Sequence, residues 1–175
     1  MSKSLNSIKK ENGENFEQCS ICEKSLIKDL FFVEKAYQRN LNGEGFFILF
    51  EFAICQTCKQ ELGLKLSKES FQKMQNYLLA HQAQIQKNTQ KESAEICSFS
   101  GRELSEGEAF HQVFMIQNGT PLGAPISMSD VIMEEYQALL SEKTKDFFEE
   151  FYHEYIDVPP AMARLLNSKQ KTVLL

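Results

Sequence analysis

Cys19-Ser-Ile-Cys22 and Cys55-Gln-Thr-Cys58 decide how this chain is read. A CxxC turn brings two sulfurs to one point. Two such turns offer four soft, anionic ligands, the donor set and number that tetrahedral zinc takes. Residues 23–54 separate the pairs, a longer insert than the roughly 15–20 residues of the compact pattern, and the extra length fits a long hairpin. Cys19, Cys22, Cys55 and Cys58 are therefore the expected ligands of one structural Zn2+. The fifth cysteine, Cys97, reads as a small buried hydrophobe.

The flanks of the two pairs fit this reading. Phe31–Tyr37 and Phe46–Ala53 have the β-branched and aromatic content of strands, with the turn Asn40-Leu-Asn-Gly43 and Gly45 between them. After Cys58 the pattern becomes helical through Leu66. Knuckle, hairpin, then a second pair opening a helix is similar to the treble-clef zinc-finger layout. Over residues 19–66 the chain resembles the N-terminal zinc-binding domain of Clp-type unfoldases. The resemblance implies a closed zinc site. The longer hairpin and the lack of an ATPase segment keep the unfoldase role from being carried over.

The second half reads as a diverged copy. Cys97-Ser-Phe-Ser100 aligns with Cys19-Ser-Ile-Cys22, Leu104 with Leu26, Phe110 with Phe32 and Asn118 with Asn40. Past the turn, Ser129 and Ile132 fall where Cys55 and Cys58 stand, and Leu140 and Ser141 match Leu66 and Ser67. Cys97, Ser100, Ser129 and Ile132 cannot hold zinc, so an apolar core has to hold this copy together. The expected fold class is thus α+β: a small zinc-bound treble-clef unit followed by a degenerate, metal-free copy with extra helices.

Ser67 is a good N-cap for a helix to about Lys87, with Phe71, Met74, Leu78, His81 and Ile85 on one face. That face is expected to pack on the neighbouring unit, with His81 hydrogen-bonded at its boundary. Asn88–Ser93 reads as a linker, and Ser129 and Ser141 cap two further helices. On the last of these, Phe147, Phe148, Phe151, Tyr152, Tyr155 and Ile156 form a broad aromatic face, for which core burial is the default reading and part of which could meet a partner. Glu150 and His153 have Glu-x-x-His spacing, but a di-iron site needs that motif twice, so a solvated acidic face is expected. The expected organisation is a disordered segment 1–18, a zinc unit 19–87, a linker 88–93, a second α+β unit 94–166 with a short helix at 161–166, and a tail 167–175.

The 175 residues carry a net charge of -5. Residues 1–95 hold 13 basic and 12 acidic side chains, and residues 96–175 hold 6 and 12. No cationic surface at domain scale favours nucleic acid. Lys24, Lys28, Lys35 and Arg39 are the only local support for that alternative. A polar N-terminus and the lack of a long apolar run point to a cytoplasmic chain without a membrane segment. No Walker loop, nucleophile elbow or HExxH is present, and His81, His111 and His153 lie in no catalytic pattern. The expected function is a non-enzymatic, zinc-stabilised protein-interaction or adaptor module whose partner is another protein. Nucleic-acid binding is one alternative. The other is dithiol redox chemistry, because a strand, Cys55-Gln-Thr-Cys58 and a helix resemble the thioredoxin arrangement.

Overall fold

The computed structural model describes residues 8–156 except 43, 92 and 94. The elements in chain order are β1 (Leu30–Arg39), β2 (Phe46–Cys55), α1 (Gln56–Lys65), α2 (Lys68–Thr89), β3 (Ala109–Gln117), β4 (Thr120–Pro121), β5 (Ile126–Ser129), α3 (Asp130–Ala138) and α4 (Glu142–Tyr155). The expected short helix at 161–166 and the tail lie outside the described residues.

β1 pairs antiparallel with β2 on one side and with β3 on the other, and β4 and β5 follow one another along the far edge of β3. The fold is α+β on one antiparallel sheet. A central strand is covered on both faces, so β1 does not alternate between polar and apolar: every residue from Val33 to Tyr37 is buried, Glu34 and Lys35 included. The β1–β3 register runs from Leu30 opposite Gln117 to Gln38 opposite Ala109. The two halves thus share a sheet, where the sequence suggested two units joined by a linker. Asn88 in that stretch is helical and buried, and its amide donates to the Ser98 carbonyl at 2.9 Å.

The long helices cross over. Met74 of α2 belongs to the second-half core with Cys97, Phe99 and Met133, and Tyr77 stacks on Phe99. Phe151 of α4 and its C-cap Ile156 belong to the first-half core, with Phe151 edge-on to Phe52 and Tyr152 edge-on to Phe50, while Phe148 stays in the second-half core. The aromatic face of α4 is largely taken up by the core, as core burial by default leads one to expect: Phe148 and Phe151 are buried, and Phe147, Tyr152 and Tyr155 pack against it. The N-terminal segment departs from expectation. From residue 8 it lies on the sheet, where Phe16 is buried and sits 5.6 Å from the Lys35 ammonium. Lys35 also reaches Glu51 at 3.3 Å and the Lys9 carbonyl, so a cation that is costly to bury has partners.

Contacts of the first half reappear in the second at fixed offsets. Cys19 N donates to Lys24 O and Cys97 N to Arg102 O; Leu26 N donates to Glu17 O and Leu104 N to Glu95 O. Ser20 N donates to Ala53 O while Ala53 N donates to Ser20 Oγ. Likewise Ser98 N donates to Ser127 O while Ser127 N donates to Ser98 Oγ.

The N-termini of α2 and α4 are joined by four hydroxyls. Ser67 and Ser141 cap α2 and α4, and their Oγ atoms are 2.9 Å apart. Each cap's own N–H is taken by the other helix: Ser67 N donates to Thr144 Oγ1 at 3.0 Å, and Ser141 N to Ser70 Oγ at 2.8 Å. Ser70 and Thr144 are fully buried, so water cannot replace either acceptor. Ser70→Ala should therefore cost roughly 1–3 kcal/mol, the penalty for a buried donor left unmatched, and Thr144→Val should cost a similar amount. Urea midpoints measured at unchanged m-value check this; midpoints equal to wild type would show that the junction does not depend on these bonds.

Candidate metal centre

The first CxxC pair sits on a tight turn before β1. Cys19 N donates to Lys24 O at 2.8 Å and Glu23 N to Cys19 O at 2.9 Å, with Leu26 fully buried beside it. Closing this turn puts Glu23 at a φ of 59°, a left-handed value that is uncommon outside glycine. The second pair bridges the end of β2 and the start of α1. Cys55 is the N-cap of α1, and its sulfur accepts from Cys58 N at 3.4 Å. The Ser20–Ala53 bonds fasten turn to strand, and Cys55 N donates to Cys19 Sγ at 3.4 Å.

These bonds bring together all four cysteines singled out in the sequence. Their sulfurs lie within 4.8 Å of one another, and Cys22 Sγ is 3.8 Å from Cys55 Sγ. Tetrahedral zinc–sulfur bonds of about 2.3 Å place sulfurs about 3.8 Å apart, so the cluster has the dimensions and chemistry to take a soft divalent ion. Cys19, Cys55 and Cys58 are buried and Cys22 is exposed, which leaves one side open for a metal to enter.

The thiols are not equivalent. Burial opposes ionisation of Cys19, yet the N–H groups of Cys22, Cys55 and Ile21 outweigh it and bring the thiol down to about 7. Burial pushes Cys55 and Cys58 up, and neighbouring sulfurs add to the rise at Cys58. Such crowding disfavours multiple thiolates, and a bound dication would reverse that balance.

The other candidates lie elsewhere. Cys97 is buried with Ser100 and Ser129 beside it. His81 bonds through Nδ1 to the Tyr77 carbonyl at 2.9 Å and packs tilted against the rings of Tyr77 and Phe99. Glu150 and His153 are exposed on α4. Among the described residues, the four cysteines are the group of metal-ligating side chains dense enough for an ion. Lys35 is buried against Glu51, Lys24 pairs with Asp29 at 2.6 Å, and Arg39 donates to the Leu104 carbonyl at 2.8 Å. Of the four cations that suggested nucleic acid, that leaves Lys28 exposed without a charged partner among the described residues.

One polar pair gave no sequence signal. His111 is buried on β3 with Nδ1 3.1 Å from the Glu34 carboxylate of β1, and its Nε2 finds no hydrogen-bond partner among the described residues. The pair depends on the β1–β3 register, which no local motif announces. No helix of the described residues is long and apolar enough to cross a membrane. Comparisons with protein-family models, curated proteins and solved structures find no match to this chain.

Because β1 is shared by both halves, a cation lost from the cluster should be felt by the whole sheet. Metal binding at such sites contributes on the order of 10 kcal/mol to folding. A strong chelator should therefore lower the melting temperature of the chain in a single transition, and Cys58→Ala should do the same without chelator. An unchanged melting curve under chelation would mean that the sulfurs need no ion.

Proposed function

We propose that this chain is a non-enzymatic, zinc-stabilised protein-interaction module. Zinc sits on Cys19, Cys22, Cys55 and Cys58 in a treble-clef-like unit of knuckle, β1–β2 hairpin and α1, and the second half is a metal-free copy of that unit. The observation that carries this reading is the convergence of four thiols within 4.8 Å. A shell filled by four protein sulfurs has no position for an activated water, which is the mark of a structural rather than a catalytic site. Among the described residues, His81 and His111 are held by hydrogen bonds and ring packing, and His153 is exposed on α4.

The interaction surface best supported is the groove between α1 and α2. It encloses about 700 Å3 and is lined by Leu62, Leu64, Phe71, Met74 and Leu78. Leu64 is 86% exposed and Phe71 43%, an apolar strip that a monomer gains nothing by showing to water. The charged residues lining it are Lys59 and Lys68, on a chain of net charge -5. Charge complementarity favours an acidic, amphipathic segment of a partner protein, its apolar residues in the groove and its carboxylates on the lysines.

Dithiol redox is the second reading. The Cys19 thiol near 7 and the 3.8 Å Cys22–Cys55 approach favour it. Against it, the cysteine that caps α1 is pushed up rather than down, the reverse of a helix-activated nucleophile.

Two measurements test the proposal. Protein purified without chelator should contain about one zinc per chain by elemental analysis; a metal-free, folded chain with a reversible disulfide would favour redox. Capture from native lysate should retain a protein on wild type that folded Leu64→Glu/Phe71→Glu loses. Equal retention by both would remove the groove from the proposal, and retention of nucleic acid with steep salt dependence would replace the proposal altogether.

A further inference from the structure

We infer that residues 97, 100, 129 and 132 stand at the four ligand positions of a second, vacated metal site, and that this half accepts a second zinc ion once Ser100, Ser129 and Ile132 are cysteine. The inference rests on the reading of the first cluster as a zinc site.

A zinc site needs more than sulfurs: a knuckle that turns two side chains the same way, a strand end, and a helix start that presents two more. All of these persist in the second half. The isolated bridge Gln18–Ser25 that closes the first knuckle has its counterpart in Ile96–Glu103. The N–H that closes the turn, Glu23 to Cys19 O, is matched by Gly101 to Cys97 O, both at 2.9 Å. The left-handed residue recurs at the same place, Glu23 at φ 59° and Gly101 at φ 71°. The knuckle is fastened to the returning strand by the same pair of bonds, through Ser20 in one half and Ser98 in the other.

The helix start is preserved as well. Cys55 caps α1 by accepting from Cys58 N, and Ser129 caps α3 by accepting from Ile132 N. Accessibility follows the ligand order: Cys19, Cys55 and Cys58 are buried with Cys22 exposed, and Cys97, Ser129 and Ile132 are buried with Ser100 exposed. Side chains converge too. Cys97 lies beside Ser100 and Ser129, the counterparts of Cys22 and Cys55.

Each substitution fits its place. Ser100→Cys and Ser129→Cys exchange one γ atom for a larger one where a sulfur stands in the first half. Ile132→Cys removes volume at a position 6% exposed, where Cys58 is 4% exposed. A bound ion would fill the space released.

The test is the metal content and cobalt spectrum of Ser100→Cys/Ser129→Cys/Ile132→Cys beside wild type. Two zinc ions per chain, and a thiolate-to-cobalt charge-transfer band of about twice the wild-type intensity per chain, are expected for two four-thiolate sites. A folded variant that still binds one ion would overturn the inference while leaving the first site intact. Wild type without metal would instead overturn the reading on which it rests. Should the triple variant not fold, Ser100→Cys/Ser129→Cys keeps Ile132 in the core and gives three thiolates with an open position. It should bind a second cobalt equivalent, and saturation at one equivalent would again refute the second site.

Discussion

Four sulfurs drawn from opposite ends of a hairpin are held closer together than free thiols have reason to be. The geometry is imposed by the backbone. Ser20 and Ala53 exchange two hydrogen bonds, and this lays the knuckle against the last residues of β2 just before the helix begins. β2 then fixes β1, and β1 fixes β3, so the register of the whole sheet traces back to where the knuckle meets the strand. Burial leaves Cys55 and Cys58 reluctant to ionise beside their neighbours. Only a cation between them turns this crowding into attraction.

The buried polar groups of β1 show what a shared central strand demands. Glu34 and Lys35 point to opposite faces of the sheet, and both are buried. Each is matched by a partner from another part of the chain: Glu34 by His111 of β3, Lys35 by Glu51 of β2 together with the N-terminal segment. Polar groups at such depth weaken the fold if a partner is lost. The two pairs therefore act against any alternative register, since a slip of one residue would move each polar side chain to the wrong face.

Much of this was legible in the sequence because it is local. The CxxC spacing picked out the four cysteines that the structure brings together, Ser67, Ser129 and Ser141 marked helix starts that the structure places at those residues, and the two aromatic strands were read within a few positions of their ends. What was not legible is relational. Nothing in Leu30–Arg39 says that it will pair with Ala109–Gln117, because a strand buried on both faces loses the alternation that would reveal its orientation. The aromatic face of α4 looked too broad for a small domain, because it serves two cores, Phe148 in its own half and Phe151 in the other. Asn88 looked like linker by composition; its role is set by the Ser98 carbonyl and by Gly101, where an added Cβ would come within 3.1 Å of the Asn88 side chain.

The exchange of α2 and α4 gives the two halves a mutual dependence that a simple tandem array lacks. Each half sends a helix into the other's core, α2 through Met74 and α4 through Phe151, while α4 also gives Phe148 to the core of its own half. A nick in the polar stretch after Thr89 would sever the chain without freeing either piece, since both would still be clasped through the sheet and the joined caps of α2 and α4. Separated before folding, each piece would show an uncovered apolar face shaped for the other, so the halves would be obligate companions in solution and poor candidates for life alone.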